Sequence, residues 1–337
     1  MAEWMENLRA NPVPMLISAE DEALEYFVKR DLLCEEVPRI EYAWALLDVQ
    51  KLKRNQKPNG SWSSGMNPLY KNHPIDLPET FKRFRLLVRQ YGSTRYDQST
   101  AKAAEYLFSC QSDEGDFRGF IGNQYATYYT GEVTALLTLG GYEDDTRIER
   151  AFKWLLSMRQ NDGGWAIPML THELDRKTSY RIVTEFVEPL KTIRSRHFSH
   201  FCTDMVLRAF AVHTKYRRSP IAQRVGNMLK TRFFKSDSYS SYQDPKYWTR
   251  FEFWWPNLLT TLDSLSLLGF SPNDTDIRFG LDWFVKNQQS DGLWKVDYGD
   301  AKPHMDNKLS LNRSLWLTLN ICRVFKRFYG ITVAGTS

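Results

Sequence analysis

Four groups of residues have types and spacings that could do chemistry. His197, His200, Asp204 and Arg208 recur at helical spacing, and His200 and Asp204, four apart, are neighbours on one face. An aspartate that orients an imidazole makes an acid–base pair, though the same two groups also serve as a polar pair between helices. Tyr125, Tyr128, Tyr129 and Glu132 set three phenols about one carboxylate. That set suits a cation, a sugar or a polar head group, or a core in which each hydroxyl finds a partner. Trp248, Phe251, Phe253, Trp254 and Trp255 crowd one loop, either walling an apolar ligand or covering the end of a core, and Asp263 follows as a further acid. Arg176, Arg181, Arg194 and Arg196 have the planar fork that meets a diphosphate or a carboxylate, or they lie in a solvated surface.

Other chemistries are absent from the sequence. It has no phosphate-binding Walker loop, no G-x-S-x-G elbow, no H-E-x-x-H and no dinucleotide fingerprint. A net charge of +5, with both signs mixed along the chain, gives no concentrated basic face for nucleic acid; Lys215, Arg217 and Arg218 read as a solvated helix end. Cys34, Cys110, Cys202 and Cys322 are scattered, as expected of reduced thiols. With early acids Glu3 and Glu6 and no membrane-length apolar run, the expected compartment is the cytoplasm.

These residues need a scaffold, and repeats supply it. Four segments share a Gln, a Gly-containing turn and an aromatic residue: Gln56–Trp62 through Gly60, Gln111–Phe117 through Gly115, Gln160–Trp165 through Gly163, and Gln289–Trp294 through Gly292. A worn copy lies near 235–242. Gly takes positive φ cheaply, the Gln amide can satisfy orphan helix-end carbonyls, and the ring staples the turn to a neighbour. The first three recur about every 50 residues, as stacked helical hairpins do. Between them the apolar spacing predicts outer helices over 39–54, 96–110, 146–159, 219–233 and 274–288. Inner helices are expected over 21–33, 77–91, 125–139, 197–213, 256–268 and 309–327. The expectation is an all-α, α/α-toroid domain spanning 1–337, with an N-terminal helical segment over 1–37, an inserted loop or lid over 166–196 and a flexible tail over 331–337.

The repeated Gln…Gly…Trp turns resemble the QW repeats of squalene–hopene cyclases and of protein prenyltransferase β subunits. The resemblance covers about residues 40 to 325 and implies a central cavity that holds isoprenoid chains. The cyclases protonate an alkene with a D-x-D-D motif at the head of an inner helix. The matching segment here runs from Ser199 into Met205-Val206-Leu207-Arg208-Ala209, but the acidic positions fall on Ser199, Phe201 and Cys202. Glu143-Asp144-Asp145-Thr146 looks similar but precedes an outer helix, as a cap would. The prenyltransferases hold zinc with Asp-x-Cys and a later His; here Cys202 and Asp204 stand in reverse order, with His304 as a distant third ligand. The expectation is no resident cofactor, Zn or Mg being the metals such a site would admit. The chain is also short of the family's usual second toroid.

Three functions remain open. The first is an isoprenoid- or lipid-binding protein of cyclase or prenyltransferase type, catalytic or not. Its ligand is an apolar or amphipathic small molecule in the central cavity, with no nucleic acid and no transmembrane segment. Peripheral membrane contact and oligomeric state stay open. The second is a carbohydrate-active lyase or hydrolase, with sugars stacked on the tyrosines and paired carboxylates as acid and base. The third is a scaffold without catalysis. In the first, Asp204, His200, Glu132 and Asp263 are the candidate catalytic groups. Tyr125, Tyr128, Tyr129, Trp248, Phe251, Trp254, Trp255 and Arg208 are the candidate ligand contacts.

Overall fold

The computed structural model describes residues 3–63, 75–239, 244–251, 254–298 and 308–330. Among them there is no β-strand, only isolated bridges, and each of the expected inner and outer segments carries a helix. The all-α class of paired helices, as in α/α toroids, therefore holds. No helix among the described residues is long and apolar enough to cross a membrane. His304 and Phe253 lie outside the described residues, as does the tail over 331–337.

The outer helices are amphipathic, and those beginning after Asp97, Asp145, Ser219 and Asp274 are capped by that side chain. In Thr146–Ser157, Ile148, Ala151, Phe152 and Leu155 bury one stripe, and the Asp145 carboxylate caps the start by accepting from Arg147 N at 2.8 Å. The inner helix Thr127–Leu137 is buried nearly all round, as a helix lined on every side must be. It packs against His200–Val212 with the two backbones almost touching, because a Cβ on Gly131 would stand 2.7 Å from both Met205 O and Val206 Cα. The two helices run parallel: Tyr128 meets Phe201, and further along both helices Glu132 meets Arg208.

The turns explain themselves atom by atom. Trp62, Trp165 and Trp294 donate their indole N–H to carbonyls at the end of the preceding outer helix, at 3.0, 2.6 and 2.8 Å. The backbone N–H of each, and of Phe117, donates to a threonine hydroxyl on the next inner helix. These are Thr80, Thr130, Thr203 and Thr318, at 3.0, 3.1, 2.9 and 3.3 Å. Gln56 Nε2 bridges Gly60 O and Ser99 O, and Gln111 Nε2 bridges Gly115 O and Arg147 O, so the glutamine ties its turn to the following outer helix. Gly60 adopts a φ of +89°, and a Cβ there would lie 2.0 Å from Lys102 O, so a residue without a side chain is required.

Two turns depart from the expectation: in the third, Arg159 Nε reaches Gly163 O at 2.9 Å while the Gln160 amide holds Ile193 O and Arg196 O. In the fourth turn the bridging glutamine is Gln288, whose Nε2 reaches Gly292 O and Ala10 O and whose Oε1 accepts from Arg9 N and Ala10 N. Gln289 contributes its backbone, from N to Leu293 O. Residue 10 here takes the part that Ser99 and Arg147 play for the earlier turns.

The chain divides into two compact units. One comprises Arg39–Met228 and Ser236–Gln243 and holds the first three turns. The other comprises Met1–Pro38, Leu229–Lys235 and Asp244–Ser337. In the latter the N-terminal segment docks on the Lys308–Tyr329 helix: Asp21 accepts from Asn312 and Trp316, both at 3.1 Å, and Asp31 accepts from Arg323 Nε at 2.8 Å. Residues 166–196 are anchored, not free-standing. They include the helix Arg176–Thr184, and Gln124 holds their backbone at Leu190 N and Ile182 O.

Candidate functional site

The unit built from Arg39–Met228 and Ser236–Gln243 brings together charged residues from three inner helices. Glu132 is fully buried. Arg89, in the π-helical turn Leu86–Gln90, grips it with both prongs, Nε to Oε1 at 2.8 Å and Nη2 to Oε2 at 3.0 Å. Arg208 Nη1 reaches Oε2 at 3.3 Å, while its Nε and Nη2 hold Asp204 Oδ2 at 3.1 and 3.0 Å. Arg208 is thus the link between two buried carboxylates. Arg85, one helical turn before Arg89, sits within electrostatic reach of Glu132, Arg89 and Arg208.

Burial alone would raise the Glu132 carboxyl, but the charges of Arg89 and Arg208, the hydrogen bond from Arg89 and the charge of Arg85 outweigh it. The carboxyl is held below its usual range and is anionic at neutral pH. Burial first, then the neighbouring guanidiniums, lower Arg85 to about 10. Glu132, fixed in this ionic lattice, has no proton to give near neutrality.

Aromatic rings adjoin the lattice on the same helices. Phe120 and Tyr129 stack with centroids 3.9 Å apart and planes 7° apart. Phe81 stands edge-on to both, at 5.4 and 5.5 Å, and Tyr128 joins Tyr129 at 4.5 Å and Phe201 at 5.4 Å. Each of the three helices therefore carries an aromatic residue and then, further along, charge: Phe81 with Arg85 and Arg89, Tyr128 and Tyr129 with Glu132, Phe201 with Asp204 and Arg208. Phe120 and Tyr129 are only half-buried, so part of the wall remains accessible.

The other expected residues lie elsewhere. Tyr125 turns to the outer layer, donating to Glu114 Oε2 at 2.7 Å under Arg118 and beside Trp154. His200 is buried at the head of its helix, where its ring Nδ1 is 3.8 Å from Asp237 Oδ1 and its backbone N–H donates to the same oxygen at 3.1 Å. Ser199, the helix cap, donates to Asp237 Oδ2 at 2.5 Å. Asp237 escapes the sequence reasoning because it lies in the worn copy of the turn near 235–242.

Trp248, Phe251, Trp254, Trp255 and Asp263 all belong to the other unit. Trp248 is buried and gives its indole N–H to Lys235 O at 2.9 Å, repeating the role of the turn tryptophans. Phe251 packs on Trp283 and Phe284, Trp254 and Trp255 stand edge-on 6.3 Å apart, and Asp263 is ion-paired with Arg327. Arg194 and Arg196 are exposed and bonded to Ser157 O and Glu173, while Arg176 and Arg181 are exposed on their short helix.

Of the zinc set, Cys202 and Asp204 turn to different partners, and His304 lies outside the described residues. The Cys202 thiol, pushed up by burial, faces Ser199, Thr127 and Ile167, whereas Asp204 faces Arg208. Among the described residues no three His, Cys, Asp or Glu side chains group as a metal cage.

Residues 76–180 match the family model for the squalene-hopene cyclase C-terminal domain. The squalene–hopene cyclase of Bradyrhizobium diazoefficiens is 29% identical over 138 residues, which is 40% of this chain and 20% of that protein. The probable squalene–hopene cyclase of Sinorhizobium fredii is 29% identical over 136 residues, 39% of this chain and 20% of that protein. The match thus spans about a fifth of the length of these relatives. Among solved structures, a variant of the type II terpene cyclase MstE from Scytonema, in complex with geranylgeranyl dihydroxybenzoate, aligns at 13% identity over 96% of this chain and 87% of its own, with a TM-score of 0.44. The resemblance to terpenoid cyclases holds across the matched segment, which carries Phe81, Arg85, Arg89, Phe120, Tyr128, Tyr129 and Glu132. Asp204 and Arg208 lie beyond it.

Proposed function

We propose that this terpene-cyclase-like chain binds an isoprenoid, seating its apolar chain on the wall formed by Phe120, Tyr129, Phe81, Tyr128 and Phe201. The stacked and half-open Phe120–Tyr129 pair carries the reading, because flat apolar faces that their own neighbours leave partly uncovered suit a chain of methyl-branched alkenes. Such faces also attract any positive charge that develops on the ligand.

Binding is the core of the proposal, and catalysis would need an acid from elsewhere. Glu132 and Asp204 hold arginines, and the positions of the cyclases' acid motif carry Ser199, Phe201 and Cys202. A sugar-cleaving site would need a carboxyl that keeps its proton near neutrality, which the guanidiniums around Glu132 oppose.

The test is calorimetric titration with geranylgeraniol, a neutral probe that carries only the chain. Tyr129→Ala should weaken binding about fivefold to tenfold, the ~1–1.5 kcal/mol of one aromatic contact. No binding to the folded wild type, or equal binding by the variant, would remove this wall as the ligand site.

A further inference from the structure

We infer that His213 is a proton-operated latch: its neutral ring fastens the turn that follows the inner helix His200–Val212, and its protonated ring releases that turn in favour of Glu143. The latch stands apart from the isoprenoid reading and does not depend on any ligand.

The first observation is that two groups claim one nitrogen. His213 is buried directly after its helix ends. Its Nδ1 accepts from Lys215 N at 3.2 Å, and the same atom lies 3.0 Å from Glu143 Oε1. A backbone N–H can only donate, so Lys215 requires a bare Nδ1 and leaves the ring proton on Nε2. A carboxylate oxygen can only accept, so Glu143 requires a proton on Nδ1. One nitrogen cannot satisfy both. In the neutral state Nδ1 serves Lys215, while Glu143 Oε1 takes the Thr214 N–H at 2.5 Å and the Thr214 hydroxyl. A second ring proton turns Nδ1 to Glu143 and leaves the Lys215 N–H without its acceptor.

The second observation is what the turn holds. Tyr216 stacks on Phe152 of the outer helix Thr146–Ser157, with centroids 3.8 Å and planes 16° apart, and donates to Glu149 Oε2 at 2.9 Å. The His213 ring stands edge-on to Phe152 and Tyr216, at 5.1 and 4.9 Å. Ring, turn and outer helix are therefore one packed cluster, and the Lys215 bond closes it. Glu143 and Asp144 ahead of the outer helix, Glu149 on it and Lys215 in the turn are the charges that act on the ring. Burial first, helped by Lys215, holds the imidazole below its usual range against the pull of the three carboxylates. The ring is thus neutral and the latch closed at neutral pH. Because the folded value is depressed, the stability it gives is complete above the unfolded value of about 6.5 and is lost as pH falls through the folded one.

Nitrogen NMR of the full chain with labelled histidine rings reads the latch itself. At neutral pH the His213 proton should sit on Nε2, and the ring should titrate below about 6.5. Glu143→Gln removes a carboxylate that favours the charged ring, so it should move the midpoint further down, and that movement assigns the signal. Hydrogen exchange by mass spectrometry reads the turn, at neutral pH and one unit below the measured midpoint, with intrinsic rates divided out. Residues 214–218 should lose about fivefold in protection on acidification, the worth of one neutral hydrogen bond. His213→Phe, which takes no proton, should show no such change. Where that variant folds poorly, the wild-type and Glu143→Gln spectra still decide. A proton on Nδ1 at neutral pH, a midpoint at or above about 6.5, or a midpoint unmoved by Glu143→Gln overturns the inference. So does protection over 214–218 that ignores pH, or that still falls in acid in His213→Phe.

Discussion

Glu132→Gln removes one charge and almost no volume, and the structure gives its consequence a sign and a size. The wild-type carboxylate is fully buried and receives two hydrogen bonds from Arg89 and one from Arg208. The amide accepts through one oxygen and turns two N–H donors toward guanidiniums that can only donate. The guanidiniums of Arg89 and Arg208 then lose the carboxylate they bond. Removing one partner of a buried ion pair costs about 3–5 kcal/mol, a large part of the ~5–15 kcal/mol that holds a typical domain together. Urea unfolding followed by circular dichroism, wild type against variant, measures it directly. The pH dependence supplies a second check. The folded Glu132 carboxyl is depressed, so its stabilisation is complete above the unfolded value of about 4.3 and is lost as pH falls through the folded one. The gap between wild type and Glu132→Gln should therefore be wide at pH 7 and narrow in acid. A loss below about 1 kcal/mol at pH 7, or a gap that does not change with pH, refutes the ionic-lattice account.

Three further substitutions test other links. Gln288→Ala should cost about 1–3 kcal/mol, because it strips two backbone N–H groups and two carbonyls of their partner, whereas Gln289→Ala should fall within about 0.5 kcal/mol of wild type. Gly131→Ala puts a methyl 2.7 Å from the backbone of the facing helix and should lower thermal stability by an overpacking cost of about 1–3 kcal/mol; an unchanged melting temperature would show that the helices can part freely.

How much of this was legible beforehand depends on whether the signal was local. The helices were, since stripes such as Ile148, Ala151, Phe152 and Leu155 announce their period, and so were the glycines of the turns. Glu132, Asp204 and Arg208 stood out as charges on otherwise buried helices. Arg85 and Arg89 did not, because nothing local distinguishes them from the neighbouring Lys82 and Arg83, and Glu132 is 43 residues from Arg89. The threonines that receive the turn N–H groups were hidden for a related reason. Thr80, Thr130, Thr203 and Thr318 look like ordinary helix residues until the turn's backbone is laid on them. The Gln288-Gln289 pair left two candidates for one bond, and only the backbone path decides which side chain turns inward. The aromatic cluster around Trp248 drew attention by density alone, yet Trp248 does the stapling work of a repeat tryptophan.

The central claim is that the aromatic wall holds a prenyl chain. The most direct measurement is native mass spectrometry of the freshly purified protein, before and after adding geranylgeraniol, with Tyr129→Ala alongside. The account predicts a one-to-one adduct on the wild type that is much reduced on the variant. A folded wild-type protein that shows no adduct in either sample, or a variant that holds as much as the wild type, would contradict it.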